Sequence, residues 1–223
     1  MSVYSILPLP SGPTPSDTII HRYKSLRLLA LQTDPRNFGS TYEQELMRTP
    51  EVWRGRIVSR SPWPDRENIT FVAALPSAES GGTNGGQMVD ILEDETREWV
   101  GMVGVLAPNH EGVDKNAILS FLERDKEMMD IKEKLHLVVC TTVHPDHRGR
   151  GVGKRLMEYA VKWIEDRCKA LGEEGVAVLA VRMTNTNAIG LYESVGFKFW
   201  GTEKDSTVGS GEMAYRWMYR HVV

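Results

Sequence analysis

Cysteine is scarce in this sequence, and there is no excess of positive charge. The 223 residues include only two cysteines, Cys140 and Cys168, which are too few for a disulfide scaffold and lack metal-ligand spacing. The formal net charge is −3, whereas general nucleic-acid binders are usually strongly basic. We therefore expect a protein with reduced thiols, no bound metal and no nucleic-acid partner.

Long apolar runs are also missing. No run approaches the ~18 apolar residues that a membrane span requires. The first residues, MSVYSILPLPSGPTP, have no basic segment and are interrupted by prolines, so they do not match a signal or transit peptide. These absences predict an intracellular protein without a membrane partner, and the cytoplasm is the default compartment.

The length and composition are those of one well-packed globular domain. Hydrophobic residues make up 41% of the chain and charged residues 26%. We predict a single domain over residues 1–223. The connection between two predicted strands, residues 69–75 and 99–107, is far longer than a hairpin requires, so residues 76–98 are predicted to be an insertion. A second insertion, charged and helical in pattern, is predicted over residues 107–133.

Two helices are predicted near the N-terminus. Apolar residues at three- and four-residue spacings follow Ser16 and Asp17, and this helix should end before Asp34. A second helical segment is predicted to begin at Ser40, with Glu43 three residues later, which is the spacing of a capping box.

Strands and helices alternate over the C-terminal half. Residues 135–143 and 176–181 are apolar runs typical of buried strands. Between them, residues 151–171 carry apolar side chains on one side and charged ones on the other, which predicts an amphipathic helix ended by Gly172. This order predicts a parallel crossover, and a short helix with two antiparallel strands follows it.

The most informative segment is HPDHRGRGVGKRL, residues 144–156, between the first of these strands and the helix. A glycine-rich loop at a helix N-terminus suits phosphate, because free backbone N–H groups and the helix dipole both favour negative charge. A Walker A loop would need glycine where Arg148 stands and a hydroxyl where Arg155 stands. A dinucleotide fingerprint would need glycine at Lys154. The segment therefore matches neither nucleotide motif.

The pattern that remains, R-x-x-G-x-G over residues 148–153, resembles the acyl-CoA pyrophosphate loop of the GNAT superfamily of N-acetyltransferases. The segment VRMTNTNAIGLYESVGF, residues 181–197, is similar to the second coenzyme motif of that superfamily, N-x-x-A-x-x-L-Y. The resemblance implies an α+β fold, an α/β/α sandwich. Its mixed, mostly antiparallel sheet would have about six or seven strands. A central parallel pair would splay to hold acetyl-CoA.

The resemblance also implies which residues bind the coenzyme. Backbone groups at the end of strand 135–143 would bind the pantetheine arm and stabilise the oxyanion, and the glycine loop would bind the diphosphate. By position in the motifs, the coenzyme-binding residues are Thr141, Thr142, Val143, Arg148, Gly149, Arg150, Gly151, Val152, Gly153, Lys154 and Asn185. Tyr192 corresponds to the general acid that protonates the departing thiolate.

The sequence leaves the general base open. Relatives that acetylate protein α-amines often carry a carboxylate where Ala180 stands, and LVVCTTV lacks the strand carboxylate of histone-acetylating relatives. Glu45 and Glu43 are the candidate bases, because the N-terminal helices resemble the wall of the acceptor site. Glu45 is preferred, since a capping box would occupy Glu43.

The function implied by the resemblance is acetyl transfer from acetyl-CoA to a primary amine, either on a small molecule or on a lysine side chain. The amine would attack the thioester directly in a ternary complex. The alternative is a catalytically silent acyl-CoA-binding or regulatory module, which the presence of both Asn185 and Tyr192 disfavours. Members of the superfamily often form homodimers, and no metal is implied.

Overall fold

The computed structural model describes residues 4–10, 12–60, 68–76, 88–108, 134–204 and 214–222. The strands in these ranges are β1 (Ser5–Pro8), β2 (Ile69–Ala74), β3 (Trp99–Leu106), β4 (Leu135–Val143), β5 (Gly175–Arg182), β6 (Lys198–Lys204) and β7 (Ala214–Val222). The α-helices are α1 (Asp17–Thr33), α2 (Tyr42–Leu46), α3 (Pro50–Ser59), α4 (Met88–Glu93), α5 (Val152–Leu171) and α6 (Thr186–Ser194).

The strands form one mixed sheet in the order β1-β2-β3-β4-β5-β7-β6, which confirms the predicted fold class. Strands β4 and β5 are parallel, with Leu135–Leu137 opposite Val176–Val178. Helix α5 connects them, as the predicted crossover requires. Strand β7 is antiparallel to β6, as predicted, and it is also antiparallel to β5. The β4–β5 register is three residue pairs long, whereas β5 pairs with β7 along its whole length.

The chain divides into two compact units. The first contains the described residues of Met1–Gly104 and Cys140–Tyr159, and the second those of Val105–Val139 and Ala160–Val223. The assignment of residues 1–223 to a single domain stays a prediction.

The first unit has its own apolar core, to which α1 and α3 contribute Tyr23 and Trp53. The rings of these two residues lie edge to face, with centroids 6.3 Å apart. The core residues are Leu9, Ile19, Ile20, Tyr23, Leu26, Trp53, Ile57, Val72, Ala74, Leu92, Trp99 and Met102. Helix α1 begins as predicted, because the Ser16 hydroxyl accepts a hydrogen bond from the Ile19 amide at 3.3 Å.

The predicted capping box of the second helix was wrong by one residue. Thr41, rather than Ser40, is the N-cap of α2, and its hydroxyl accepts a hydrogen bond from the Gln44 amide. The Gln44 side chain accepts a hydrogen bond from the Thr41 amide in return. Glutamine serves as well as glutamate in this motif, so the sequence allowed either frame. Ser40 and Glu43 are therefore not a capping pair.

The second unit is built on β5 and the strands that pair with it. Its core contains Leu135, Val176, Val178 and Trp217, against which Leu137, Trp200 and Tyr219 pack. Helix α5 ends at Gly172 as predicted, where φ is +67°, and Gly196 has φ of +86° just after α6. Both glycines adopt the left-handed conformation that ends helices.

Two elements were not predicted from the sequence. Strand β1 is a four-residue strand that pairs antiparallel with β2 and ends at Pro8. Helix α4 lies within the first predicted insertion, 76–98. Residues 77–87 of that insertion, and residues 109–133 of the second one, lie outside the described residues. In the parts of the chain that are described, no helix is both long enough and apolar enough to cross a membrane.

Gly101 in β3 is a position where we expect a side chain to be destabilising. A Cβ there would lie 2.9 Å from the Thr142 carbonyl oxygen and 2.9 Å from Leu156 Cδ1. Because the carbonyl belongs to the backbone, it cannot move away cheaply. We expect Gly101→Ala to lower the free energy of unfolding by about 1–3 kcal/mol in urea denaturation.

Gly55 provides the matched control for this substitution. It lies within α3, and a Cβ added there has no other atom within 4 Å. We therefore expect Gly55→Ala to raise stability by about 0.5–1 kcal/mol, since alanine favours the helix. Equal effects of the two substitutions would contradict the close approach of β3 to β4 at Gly101.

Candidate functional site

The glycine loop adopts the backbone conformation that its glycines permit. Gly149 has φ of +70° and Gly151 has φ of +79°, and residues other than glycine rarely adopt these values. Both are exposed, and a Cβ added to either would have no other atom within 4 Å. The loop therefore presents bare backbone to open space, and a ligand can approach it closely.

Helix α5 begins directly after this loop and points its N-terminus at the same space. The Arg155 amide makes the first intrahelical bond, to the Gly151 carbonyl at 3.1 Å. The amides of Val152, Gly153 and Lys154 precede that bond and have no carbonyl partner within the helix. The first turn of the helix contains no acidic residue. Four basic residues lie in or just before this first turn in the sequence: Arg148, Arg150, Lys154 and Arg155. This arrangement suits a polyanion such as a diphosphate.

Arg148 connects the loop to two neighbouring elements. Its Nε donates a hydrogen bond to the Val143 carbonyl at 3.0 Å, and its guanidinium forms an ion pair with Asp34 at the end of α1. The structure therefore brings together Arg148 and Val143, which the sequence assigned to one site. It also shows that the Val143 carbonyl is already bonded.

The end of β4 departs from regular strand geometry. Cys140 has φ of +55°, the only positive φ at a non-glycine residue in the described ranges. Thr141, Thr142 and Val143 follow it and lie beyond the three residue pairs that join β4 to β5. The β4–β5 register therefore does not extend to these three residues.

Cys140 is also part of a titratable cluster that the sequence analysis missed. Arg60 Nη1 lies 3.1 Å from Cys140 Sγ and 3.0 Å from Tyr23 Oη. Burial by itself would raise the pKa of Cys140, but the positive charge of Arg60 outweighs it, and the pKa of the thiol is lowered. Burial raises the pKa of Tyr23. The cluster therefore places a thiol with a lowered pKa directly before Thr141.

Glu45 lies in a cluster of arginines. Its carboxylate accepts hydrogen bonds from Ser40 at 2.7 Å, from Arg48 at 3.0 Å and from Arg56 at 2.6 Å, and Arg27 lies 3.7 Å away. Burial disfavours the charged carboxylate, but the hydrogen bonds from Arg56 and Ser40 outweigh it, and the pKa of Glu45 is lowered. Glu45 is only 1% exposed, whereas Glu43 is exposed on α2. These surroundings weigh against Glu45 as a base, although its role stays a prediction.

Asn185 and Tyr192 belong to the second unit. The Asn185 side chain is the N-cap of α6, where its Oδ1 accepts a hydrogen bond from the Ala188 amide at 3.2 Å. Tyr192 lies on α6, is 8% exposed, and its ring centroid is 6.2 Å from that of Phe197. Ala180 on β5 is exposed, and its backbone is paired opposite Trp217. In chain order, Ala180 lies on β5, Asn185 in the turn after it, and Tyr192 on α6.

Comparison with known proteins gives one family match. The sequence profile of the acetyltransferase (GNAT) family matches residues 51–197. These residues include β2 to β5, the glycine loop, and helices α5 and α6.

Individual relatives are more distant. The N-alpha-acetyltransferase RimI of Mycobacterium tuberculosis is 24% identical over 187 residues, which are 84% of this chain and 94% of that protein. An acetyltransferase of the GNAT family from Streptococcus pneumoniae has a similar structure, with a TM-score of 0.61 at 17% identity over 98% of this chain and all of the other. The structure of spermidine N-acetyltransferase from Vibrio cholerae in complex with CoA and spermine is also similar, with a TM-score of 0.55 at 15% identity. The match covers 98% of this chain and 95% of the other.

Proposed function

Because this chain belongs to the GNAT family of acetyltransferases, we propose that it transfers the acetyl group of acetyl-CoA to a primary amine on a small molecule or a lysine side chain. The chain is an acyl-CoA N-acyltransferase, and acetyl-CoA-dependent acetylation of amines is the general reaction of its family. The observation that carries the proposal is the loop at Gly149 and Gly151. It combines two left-handed glycines, a free helix N-terminus and a surplus of cations.

We assign the coenzyme-binding residues on this basis. The amides of Val152, Gly153 and Lys154 and the backbone of Gly149 and Gly151 would bind the diphosphate, with Arg148 and Arg150 supplying positive charge. Backbone groups of Thr141, Thr142 and Val143 would bind the pantetheine amides and the oxyanion. The amide nitrogen of Asn185 would donate to the coenzyme arm, since its Oδ1 already caps α6. Acetyl-CoA supplies the activated acetyl group.

The proton transfers are assigned to two kinds of residue. Tyr192 would hold the proton that the departing thiolate takes up. Glu43 and Glu45 remain the proposed bases for the amine, and the exposure of Glu43 supports it over Glu45, which is held by arginines. Direct attack by the amine requires both substrates to be bound at once, so we propose a ternary complex.

The choice of acceptor rests on one position in β5. Relatives that acetylate protein α-amines often carry a carboxylate where this chain has the exposed Ala180. Its absence supports a small-molecule amine or a lysine side chain over a protein N-terminus, even though the RimI relative is named for N-alpha acetylation.

The proposal is tested by release of free thiol from acetyl-CoA. The protein would be assayed with polyamines, amino acids, lysine peptides and a peptide with a free N-terminus but no lysine. We expect thiol release with an amine or lysine acceptor and little with the lysine-free peptide. Turnover confined to the free N-terminus would overturn the acceptor assignment. Coenzyme binding without turnover on any acceptor would contradict the enzymatic proposal.

The role of Tyr192 gives a further prediction. We expect Tyr192→Phe to lower kcat by about 100-fold, the lower part of the range for a general acid, because phenylalanine keeps the ring and removes the proton. The affinity for acetyl-CoA, measured by calorimetry, should change less than about twofold.

Tyr159→Phe is the control for this substitution. Tyr159 lies on α5 and is 44% exposed, so loss of its hydroxyl should leave kcat unchanged. Unchanged kcat in Tyr192→Phe, or a loss of coenzyme affinity with kcat retained, would refute the general-acid role.

A further inference from the structure

We propose that Glu98, His144 and His147 form a binding site for a transition-metal ion, with Zn²⁺ the best match. One ligand atom from each residue lies within 4.8 Å of the other two. His144 Nε2 lies 3.8 Å from Glu98 Oε1, and His147 Nε2 lies 3.8 Å from Glu98 Oε2. Both imidazoles therefore face the same carboxylate, one at each oxygen.

The local fold brings the two histidines together. Residues Pro145–His147 form a single 3-10 turn capped by His144, so that the two rings lie edge to face with centroids 5.7 Å apart. Glu98 directly precedes β3, and the His144 amide donates to the Val100 carbonyl at 2.8 Å, which holds the turn next to the start of that strand. All three ligands belong to the first unit.

The three side chains would have to close around an ion. Zinc binds imidazole nitrogen and carboxylate oxygen at about 2.0–2.2 Å, which separates neighbouring ligand atoms by about 3.4 Å. The two separations of 3.8 Å end on different oxygens of Glu98, and one ligand atom from each residue lies within 4.8 Å of the others, so these atoms would approach one another by up to about 1.4 Å. Two imidazoles with one carboxylate suit zinc and similar ions, whereas Mg²⁺ and Ca²⁺ prefer ligand sets of oxygen alone.

The exposure of the ligands fits an ion that comes from solvent. The side chains of His144 and His147 are 22% and 13% exposed, and that of Glu98 is 50% exposed. The site is thus open on one side, where a water molecule can complete the coordination. Three protein ligands and one open position are the usual composition of a catalytic zinc site, whereas structural zinc sites usually have four protein ligands.

Further polar groups lie behind both imidazoles. Tyr4 Oη is 3.2 Å from His147 Nδ1 and can accept its proton, which frees Nε2 for the ion. His144 Nδ1 accepts a hydrogen bond from the Asp146 amide at 3.3 Å, so its neutral ring carries the proton on Nε2. Binding through Nε2 would move that proton to Nδ1 and break the hydrogen bond from the Asp146 amide, and the proton could then be donated to the Asp146 carboxylate, whose nearer oxygen is 3.9 Å from Nδ1 and would have to approach. A carboxylate behind a metal-binding histidine is a common arrangement.

An ion here would fix the turn that leads into the glycine loop. Arg148 follows His147 directly, and Arg155 in the first turn of α5 donates to the carbonyl of Tyr4 at 2.8 Å. The ion would thus join the start of β3 to the turn before Arg148, and Tyr4 would connect it to α5. A bound ion would order this turn. The inference does not depend on acetyl transfer.

Zinc binding can be measured without any assay of activity. The full chain would be treated with a chelator, dialysed and titrated with ZnCl₂ by calorimetry, with metal content checked by mass spectrometry. We expect one ion per chain. His147→Gln and Glu98→Gln should each weaken the affinity at least tenfold, because each removes a ligand. His21→Gln should bind like the unaltered chain, since His21 lies on α1 beside Ser25.

Cobalt identifies the ligands by absorption spectroscopy. We expect Co²⁺ to give the ligand-field bands of a nitrogen and oxygen site, whereas a thiolate charge-transfer band would place the ion on Cys140 or Cys168 and overturn the proposal. Absence of binding, or equal affinity in the Glu98→Gln variant, would also overturn it. If circular dichroism shows that His147→Gln does not fold, the zinc affinity of the Glu98→Gln variant tests the proposal alone. Glu98 is half exposed, so its replacement should leave the fold intact.

Discussion

Glu45→Ala should lower the free energy of unfolding by about 3–5 kcal/mol, the largest effect expected of any single substitution discussed for this chain. The Glu45 carboxylate is 1% exposed and holds Arg48 and Arg56 by direct hydrogen bonds, with Arg27 3.7 Å away. Removing it leaves three arginines close together without their shared counterion. Arg27 is the most affected, since it is only 6% exposed and its Nε and Nη1 have no hydrogen-bond partner.

The sign of the pH dependence follows from the pKa of Glu45. Because that pKa is lower in the folded chain than in the unfolded chain, the carboxylate stabilises the fold at neutral pH. This stabilisation should be lost as the pH falls below the ordinary glutamate range and through the lowered pKa. The Glu45→Ala variant should therefore differ most from the unaltered chain near neutral pH, and least in acid.

Urea denaturation of matched variants tests this role. Glu43→Ala is the control, because Glu43 is exposed on the same short helix, and its loss should change stability by no more than about 0.5 kcal/mol. If Glu45 is instead the catalytic base, Glu45→Gln will unfold like the unaltered chain and lose kcat. That outcome would contradict the structural role.

Gly151→Val should reduce the affinity for acetyl-CoA by about 100-fold. A left-handed backbone conformation costs a residue with a side chain about 1–2 kcal/mol. In the free Gly151→Val variant the loop should therefore relax away from φ of +79°, and coenzyme binding would have to restore that conformation. The valine side chain would also project into the space where we place the diphosphate, and one lost charged hydrogen bond is worth about 1.5–3 kcal/mol. Together these terms amount to about 2.5–5 kcal/mol, a range that includes the roughly 2.7 kcal/mol that corresponds to about 100-fold.

Gly172→Val separates backbone strain from ligand contact. Gly172 has φ of +67°, is exposed, and has no atom within 4 Å of an added Cβ. It lies at the far end of α5, about 30 Å from the loop at 1.5 Å per residue. We expect both variants to lose similar stability in thermal unfolding, but only Gly151→Val to lose affinity in calorimetry. Equal affinities would show that the coenzyme does not bind at the loop.

The sequence predicted well those features that depend on neighbouring residues. Helix α5 was predicted because its buried residues recur at three- and four-residue spacings. Gly149 and Gly151 were predicted to form a ligand loop because such a loop needs backbone without side chains. Strand β1 was missed because four residues that end at a proline show no strand periodicity. The frame of the α2 capping box was ambiguous because both frames satisfy the motif.

Features that depend on distant residues could not be predicted in this way. Arg60 is 80 positions from Cys140, so no local pattern indicates their contact. Around Glu45, Arg48 is only three positions away, but Arg27 on α1 and Arg56 on α3 reach it only through the fold. His144 and His147 have the three-residue spacing of a ligand pair, but Glu98 lies 46 positions before His144, just ahead of β3, and only the fold brings it to them.

The most direct test of the central claim follows the acetyl group itself. Acetyl-CoA labelled with ¹³C in the acetyl group would be incubated with the protein and an amine acceptor, and the products would be resolved by mass spectrometry. We predict that the label appears on the acceptor nitrogen only when protein, coenzyme and acceptor are all present, and that Tyr192→Phe slows its appearance. Label released only as acetate, or retained in acetyl-CoA with every acceptor, would contradict the assignment of this chain as an amine acetyltransferase.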